Sequence, residues 1–230
     1  MSTSEHKPGI AILASGSGST AEAFIHATQD GRVDAEVGLV ICSKPPEEAA
    51  IFDRVDKLNA QYSLDIETVE ISARTHPNGP VGRGQTLGES VAICEKVSSA
   101  GLVHVALMGY MKIVRGELIE EYGWQDSYNS IYEARMTNTH PGPLPETEDT
   151  YGIYTSGRVL ELGMTASRHT VHLVSAGVDR GPIIAEHPVE VINGDTARDI
   201  FDRVQVVEKA AFPYALGKFL SEQGEYFGKT

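Results

Sequence analysis

The stretch GIAILASGSGSTAEAFIHATQ, residues 9–29, determines how the rest of the sequence is interpreted. It begins with the apolar run GIAILAS (9–15) and continues through alternating glycine and serine. It ends in TAEAFIHATQ, where Ala23, Phe24 and Ala27 form a weak apolar stripe. A short apolar run predicts a buried strand, and spacings of three and four predict a helix. The stretch therefore predicts a strand, a glycine turn and a helix.

The same alternation of strand and helix continues to about residue 110. In chain order we expect a strand at 35–42, a helix opened by Ser43, Pro45 and Pro46 that buries Ile51, Val55 and Leu58, a strand at 66–71, a loop over 72–85, a helix at 87–99 and a strand ending at Gly109. Such alternation gives a parallel sheet with right-handed crossovers and helices on both faces. The sequence therefore predicts an α/β fold with a Rossmann-like, mostly parallel sheet.

Beyond Tyr122 the pattern changes. We expect a short strand ending at Asn138, a proline-rich loop, a helix near 151–163, strands at 167–175 and 182–192 joined by the turn AGVDRG, and a long final helix. Thr196 and Asp199 have capping-box spacing. The apolar stripe of the final helix comprises Ile200, Val204, Val207, Ala211 and Tyr214. We interpret 1–230 as one domain with halves at about 9–110 and 111–220.

Composition narrows the class of protein. The chain has 32 acidic and 19 basic residues, a formal charge of −13, which repels nucleic acids and anionic membranes. The start, MSTSEHKPG, lacks the apolar segment of a signal peptide, and no run of eighteen apolar residues occurs, so a cytoplasmic protein is expected. Cys42 and Cys94 lie in predicted elements outside any CxxC or Cys/His cluster, and are interpreted as core thiols.

The turn Ser15-Gly16-Ser17-Gly18-Ser19 lies where the first strand passes into the first helix. Exposed backbone N–H groups and the helix dipole attract an anion at such a place. A dinucleotide site would require a third small residue, which Ala21 permits, and an acid after the second strand, which Cys42-Ser43-Lys44 does not supply. The turn favours a monophosphate, and a tight turn without a ligand is the alternative.

Asn138-Thr139-His140-Pro141 follows a predicted strand, in the region where open α/β sheets place ligands. Asn138 and His140 are two residues apart on extended chain, so an amide and an imidazole project to the same side. Taken alone, His140 could be an ordinary loop histidine. Asp179, flanked by Gly177 and Gly181, could be an ordinary turn residue.

Together these motifs resemble the folate-dependent formyltransferase family. The resemblance runs from about Gly9 to Leu220. It rests on S-G-S-G-S at the start, G-Y-M-K-I-V at 109–114, N-T-H-P at 138–141 and V-H-L-V-S-A-G-V-D-R-G-P-I-I at 171–184. It implies a formyltransferase fold and transfer of a formyl group from 10-formyltetrahydrofolate to a substrate amine. The implied acceptor is glycinamide ribonucleotide, and neither a metal nor a nucleophilic side chain is required.

The resemblance also implies a role for particular residues. Asn138, His140 and Asp179 would form the catalytic trio. An Asn138 amide and a protonated His140 imidazole would stabilise the oxyanion, while Asp179 would hold the imidazolium and order a proton-relaying water. The residues expected at the acceptor phosphate and amine are Gly18, Ser19, Thr20, Gln205 and Glu208. Those expected around the pteridine are Met111, Lys112, Ile113, Val114, Ser175, Ala176, Gly177 and Val178.

Some segments depart from the family pattern. Thr20 stands in place of an asparagine and Lys112 in place of an arginine, and the loops 72–85, 124–135 and 141–152 are unusual. Because the family's acceptor is bound on that side, two alternatives stay open. One is a formyltransferase acting on another amine, such as an amino sugar nucleotide. The other is a non-catalytic nucleotide-binding module. Small-molecule substrates are the expected partners, in a monomer or homodimer.

Overall fold

The computed structural model describes residues 7–79 and 82–228. Its first half contains β1 (Gly9–Ala14), α1 (Ser19–Gln29), β2 (Glu36–Cys42), α2 (Ile51–Tyr62), β3 (Glu67–Glu70), α3 (Leu87–Ser99), β4 (His104–Leu107) and α4 (Glu117–Tyr122). Its second half contains β5 (Met136–His140), α5 (Ile153–Glu161), β6 (Ala166–Leu173), β7 (Ile183–Glu190) and α6 (Ala197–Gly228). Short 3₁₀ turns occur at Pro46–Glu48 and Ile131–Glu133.

The seven strands form one sheet in the order β3-β2-β1-β4-β5-β6-β7. The first five strands in this order are parallel to one another, while β6 is antiparallel to both β5 and β7. One face of the sheet packs residues of α1, α2 and α6, including Phe24, Ile51 and Phe212. The other packs residues of α3 and α4, including Ile93 and Leu118. The predicted α/β fold with helices on both faces is therefore confirmed.

Several element boundaries differ from the sequence-based expectation. The 3₁₀ turn at Pro46–Glu48 accommodates the proline pair, so α2 begins only at Ile51. β5 continues past Asn138 to His140 because β6 pairs with it as far as His140 opposite Thr170. Pro141, which has no N–H to donate, follows the last residue of the strand. The helix α4 was not expected.

The apolar stripe of α6 was only partly predicted. Ile200 and Val204 are buried as expected, but the buried positions then follow a spacing of four through Glu208, Phe212 and Leu216. Tyr214 is consequently 53% exposed. The capping box at the start of α6 is formed, since the Thr196 backbone donates to Asp199 Oδ2 and the Asp199 backbone to Thr196 Oγ1. Within the described residues, α6 and every other helix fall short of the length and apolarity that a membrane span requires.

Candidate active site

A cavity of about 500 Å³ opens where β1, β4 and β5 end. Ligands of open α/β sheets bind outside the carboxyl ends of the strands. The sequence-predicted site residues all line this cavity, namely Gly18, Ser19, Thr20, Met111, Lys112, Ile113, Val114, Asn138, His140, Ser175, Ala176, Gly177, Val178, Asp179, Gln205 and Glu208. The fold therefore brings together residues from both halves of the chain.

The glycine turn forms one wall of the cavity. Gly18 has φ 72° and caps α1 without a side-chain hydrogen bond, so the first-turn N–H groups are left for a ligand. A Cβ at Gly18 would lie 2.6 Å from Ile51 Cγ1, so both the backbone conformation and the contact with α2 require glycine. Ser15 Oγ links the glycine turn to the segments that follow β2 and β4. It lies 2.6 Å from Ser43 Oγ and accepts a hydrogen bond from the Met111 backbone N–H at 2.9 Å.

Asn138 and His140 project from β5 into the cavity. Asn138 Nδ2 lies 3.1 Å from His172 Nε2 and 3.5 Å from Asp179 Oδ1. His172 Nδ1 lies 2.9 Å from the Leu173 carbonyl, which can only accept, so Nδ1 carries the proton and Nε2 accepts from Asn138. The second amide proton of Asn138 has only the long contact with Asp179, and a substrate oxygen can replace that contact.

The tautomer of His140 is fixed by Thr147. Thr147 Oγ1 donates to the Pro143 carbonyl at 2.6 Å, so it must accept from His140 Nε2, which lies 2.9 Å away. Neutral His140 is thereby held as the Nε2–H form, with a bare Nδ1 toward Asp179. Burial lowers the pKa of His140 to about 4, although the charge of Asp179 acts in the opposite direction. His140 is therefore neutral in the free protein near neutral pH, and the protonated form that the resemblance implies during the reaction stays a prediction.

Asp179 lies in the loop between β6 and β7, with φ 55°. This loop folds back over β5 because Gly181 packs against the Leu173 carbonyl, which would lie 1.8 Å from a Cβ at that position. Asp179 Oδ2 is 3.6 Å from His140 Nδ1, and Oδ1 is 3.5 Å from His172 Nε2. Burial opposes ionisation of Asp179, but its interactions with His172 and His140 lower its pKa overall. Asp179 is therefore ionised.

Glu208 forms the opposite wall, on α6. Its Oε1 accepts from Thr20 Oγ1 at 3.0 Å and from Thr139 Oγ1 at 3.1 Å. Burial raises the pKa of Glu208, while those two hydrogen bonds lower it in part. A buried carboxylate with a raised pKa is suited to binding an amine and accepting a proton. Gln205, one helical turn earlier, also lines the cavity.

The segment after β4 and the loop after β6 form the remaining wall. Met111 is 50% exposed and Val114 is buried, so an apolar surface faces the cavity beside Ala176 and Val178. Lys112 forms an ion pair with Glu89, whose side chain is fully buried. Its charge is therefore held by the protein, which limits the role that the sequence suggested for it.

Three contributors were not singled out from the sequence. His172 and Thr147 orient Asn138 and His140, and Thr139 joins Glu208 to the sheet. The available signal for His172 was a histidine inside the apolar segment VHLV. Thr147 lies in a loop with no periodicity, so no pattern indicated its contact. Within residues 7–79 and 82–228, no group of three or more His, Cys, Asp or Glu side chains could hold a metal ion.

Comparisons with known proteins agree with this geometry. A family model described as "Formyl transferase" matches residues 9–216. Phosphoribosylglycinamide formyltransferase of Bacillus subtilis is 27% identical over 91% of this chain and 93% of that protein. A trifunctional purine biosynthetic protein of Drosophila pseudoobscura pseudoobscura is 30% identical over 95% of this chain, which spans 14% of its length. The crystal structure of glycinamide ribonucleotide transformylase 1 from Symbiobacterium toebii has TM-score 0.77 and 28% identity, covering 95% of this chain and 90% of that one.

Proposed function

The chain belongs to the formyl transferase family, and from this premise we propose that it transfers the formyl group of 10-formyltetrahydrofolate to the primary amine of glycinamide ribonucleotide. It is a folate-dependent formyltransferase. One observation supports the specific reaction most strongly. The loop after β6 brings Asp179 to the two side chains that project from β5. Its Oδ1 lies 3.5 Å from Asn138 Nδ2, and its Oδ2 lies 3.6 Å from His140 Nδ1.

The donor is proposed to bind between the segment 111–114 and the loop 175–178. Their apolar side chains and backbone groups suit a planar pteridine with hydrogen-bonding edges. The acceptor is proposed to bind on the other side, with its phosphate at Gly18, Ser19 and Thr20 and its amine near Glu208. The hydrogen bond between Thr20 and Glu208 supports this assignment, since it brings the glycine turn and the buried Glu208 carboxylate side by side.

The chemistry follows from these positions. The free amine attacks the formyl carbon, and the developing oxyanion takes an N–H from Asn138. His140 enters neutral, and its bare Nδ1 accepts a proton as the adduct forms. The imidazolium then lies against ionised Asp179, which favours that charged form. The proton is returned to the leaving folate nitrogen. Holding two substrates face to face supplies much of the acceleration.

The proposal is tested by incubating the purified protein with 10-formyltetrahydrofolate and one amine at a time, and measuring release of tetrahydrofolate. Glycinamide ribonucleotide should support turnover, and Asn138→Ala should lower it by roughly a hundredfold. Turnover only with an amino sugar nucleotide would reassign the acceptor. Failure with every amine, despite binding of a nucleotide, would favour the non-catalytic alternative. Activity should persist with a chelator, since no step requires a metal.

We also propose that residues 1–230 work as one formyltransferase domain in the cytoplasm, as a monomer or homodimer. One sheet contains strands from both halves, which supports a single folding unit. Light scattering of the purified protein determines the number of copies. A single unfolding transition, followed by both circular dichroism and tryptophan fluorescence of Trp124, is the expected result for one domain.

A further inference from the structure

Two loops beside the active-site cavity are joined by an ion pair. One loop follows β5 and contains Glu148, and the other lies between β6 and β7 and contains Arg180. Arg180 Nε donates to Glu148 Oε2 at 2.9 Å, and Arg180 Nη2 donates to Glu148 Oε1 at 3.1 Å. Nη2 also lies 3.9 Å from Asp149 Oδ2. Two parallel bonds between a guanidinium and a carboxylate fix the orientation of the partners as well as their separation.

Each member of this pair directly follows a residue that contacts His140. Thr147, which precedes Glu148, accepts the Nε2 proton of His140 over 2.9 Å. Asp179, which precedes Arg180, has its Oδ2 3.6 Å from Nδ1 of the same ring. The ion pair therefore joins the two loops one residue beyond the groups that contact opposite nitrogens of the imidazole.

The loop after β5 is held to the body of the protein without the help of Arg180. Thr147 is fully buried, and its hydroxyl donates to the Pro143 carbonyl at 2.6 Å. The Gly142 carbonyl accepts from Thr170 Oγ1 on β6 at 2.7 Å. This loop is therefore a fixed support for whatever binds to it.

The turn that carries Asp179 has less support along its length. Its ends are held by backbone hydrogen bonds at Val174 and Pro182. Between them, the Arg180 N–H donates to the Gly177 carbonyl at 3.3 Å, a bond within the turn itself. Asp179 has φ 55°, and such a conformation persists in residues other than glycine where surrounding contacts maintain it. The position of Asp179 therefore depends on contacts from outside the turn.

We propose that the ion pair between Arg180 and Glu148 is a positioning device, which fastens the Asp179 turn to the fixed loop and so keeps the Asp179 carboxylate beside His140 Nδ1. This inference rests on the proposed formyl transfer, in which that carboxylate stabilises the imidazolium. Arg180 and Glu148 do not themselves line the cavity. Both residues thus act on the reaction through Asp179.

The exposure of the pair separates its effect on position from an effect on folding. The Arg180 side chain is 60% exposed and that of Glu148 is 32% exposed. An ion pair in contact with solvent contributes little to the free energy of unfolding. A catalytic group, by contrast, tolerates little displacement, since an error of about 1 Å can cost about a hundredfold in rate. Substitution should therefore preserve the fold and reduce turnover.

The test compares steady-state kinetics of Arg180→Gln, Glu148→Gln and the double variant with those of the parent. Each single substitution should lower kcat at least about fivefold, with a smaller change in either KM, because Asp179 acts on the transition state. The double variant should lose no more than either single one, because both substitutions break the same pair. Arg168→Gln is the matched control and should keep the parent kcat. It breaks a half-exposed ion pair with Glu186, and neither residue of that pair lines the cavity.

Asp179→Asn provides the background that identifies the route of the effect. Because the pair acts through the Asp179 carboxylate, Glu148→Gln should cost less than about twofold once that carboxylate is gone. A further fivefold loss would show that the pair acts elsewhere and would overturn the proposal. Losses that multiply in the double variant, or a parent-like kcat in the single variants, would overturn it as well.

Amide hydrogen exchange gives a measure that requires no substrate. The amides of residues 177–180 should exchange at least about fivefold faster in Glu148→Gln, because the turn opens more often. The Thr147 amide, which donates to the Pro143 carbonyl at 3.0 Å in the fixed loop, should keep its parent rate. Unchanged exchange in the turn would overturn the positioning role whatever the activity. A parent protein that forms no formylated amine would instead overturn the proposed function, whether or not the turn responds.

Discussion

His140 Nδ1 lies 3.6 Å from Asp179 Oδ2, although a helix and a whole strand separate the two residues along the chain. The contact forms because the loop that carries Asp179 folds back over β5. It places a carboxylate against the nitrogen of His140 that Thr147 leaves bare. The site thus has a neutral base with a negative charge positioned to stabilise its protonated form.

Replacing Asp179 should affect both the titration of His140 and turnover. Asp179→Asn removes the charge that raises the pKa of His140, so that pKa should fall further below about 4. Turnover should fall by roughly a hundredfold between pH 6 and 9, because the imidazolium formed during the reaction loses its partner. NMR titration and initial rates measure the two effects. Asp126→Asn, at an exposed position, is the control, and an unchanged His140 titration would contradict the prediction.

Thr147 should act through the tautomer of His140. Thr147→Val removes the acceptor of the Nε2 proton, so the proton redistributes between both ring nitrogens and kcat should fall by about tenfold, with a smaller change in KM. Thr147→Ser keeps the oxygen and should restore kcat. Nitrogen-15 shifts of His140 report the tautomer directly. A parent-like tautomer in Thr147→Val, with reduced kcat, would show that the effect arises elsewhere.

The glycine turn requires a different test from substitution of Gly18. Gly18→Val would clash with Ile51 and strain a residue at φ 72°, so it should unfold the turn rather than report on phosphate. Ser19→Asp instead places a negative charge in the first turn of α1, which favours the helix itself but repels a phosphate. The acceptor KM should rise by about tenfold or more while Tm is retained. An equal rise in the folate KM would place the phosphate elsewhere.

Histidines whose pKa is lowered by burial should make the free energy of unfolding depend on pH. Burial lowers the pKa of His104 to about 3, of His140 to about 4 and of His169 to about 3. Between about pH 6.5 and 4 the unfolded chain binds protons at these positions and the folded chain does not, so stability falls as pH falls. The limit is about 1.4 kcal/mol per pH unit for each histidine. The raised pKa of Glu208 opposes part of this loss.

Urea unfolding at a series of pH values measures this dependence. His169→Gln should remove the contribution of His169 and flatten the slope. A slope that is the same in the parent and His169→Gln would mean that His169 is protonated in the folded protein.

The sequence predicted the sheet well because buried parallel strands and amphipathic helices have strong periodicities. β1, β2 and α3 were placed nearly to the residue. The resemblance to the formyltransferase family also indicated which side chains gather at the cavity. The sequence could not predict that His140 is neutral in the free protein, because its lowered pKa depends on burial. It also could not predict the ion pair between Lys112 and Glu89, because these residues lie in segments that are distant in sequence.

The hydrogen bond between Thr20 and Glu208 spans 188 positions of the chain. Bringing the ends of so long a segment together reduces the conformational entropy of the chain before the contact between them can stabilise it. We therefore expect this part of the site to assemble late in folding. A nascent chain whose last helix has not docked lacks the cavity wall formed by Gln205 and Glu208, where the acceptor is proposed to bind. On the proposed reaction, the acceptor substrate therefore binds only after α6 has docked. By mass action, the cell's own metabolite pool then stabilises the mature enzyme against unfolding and degradation.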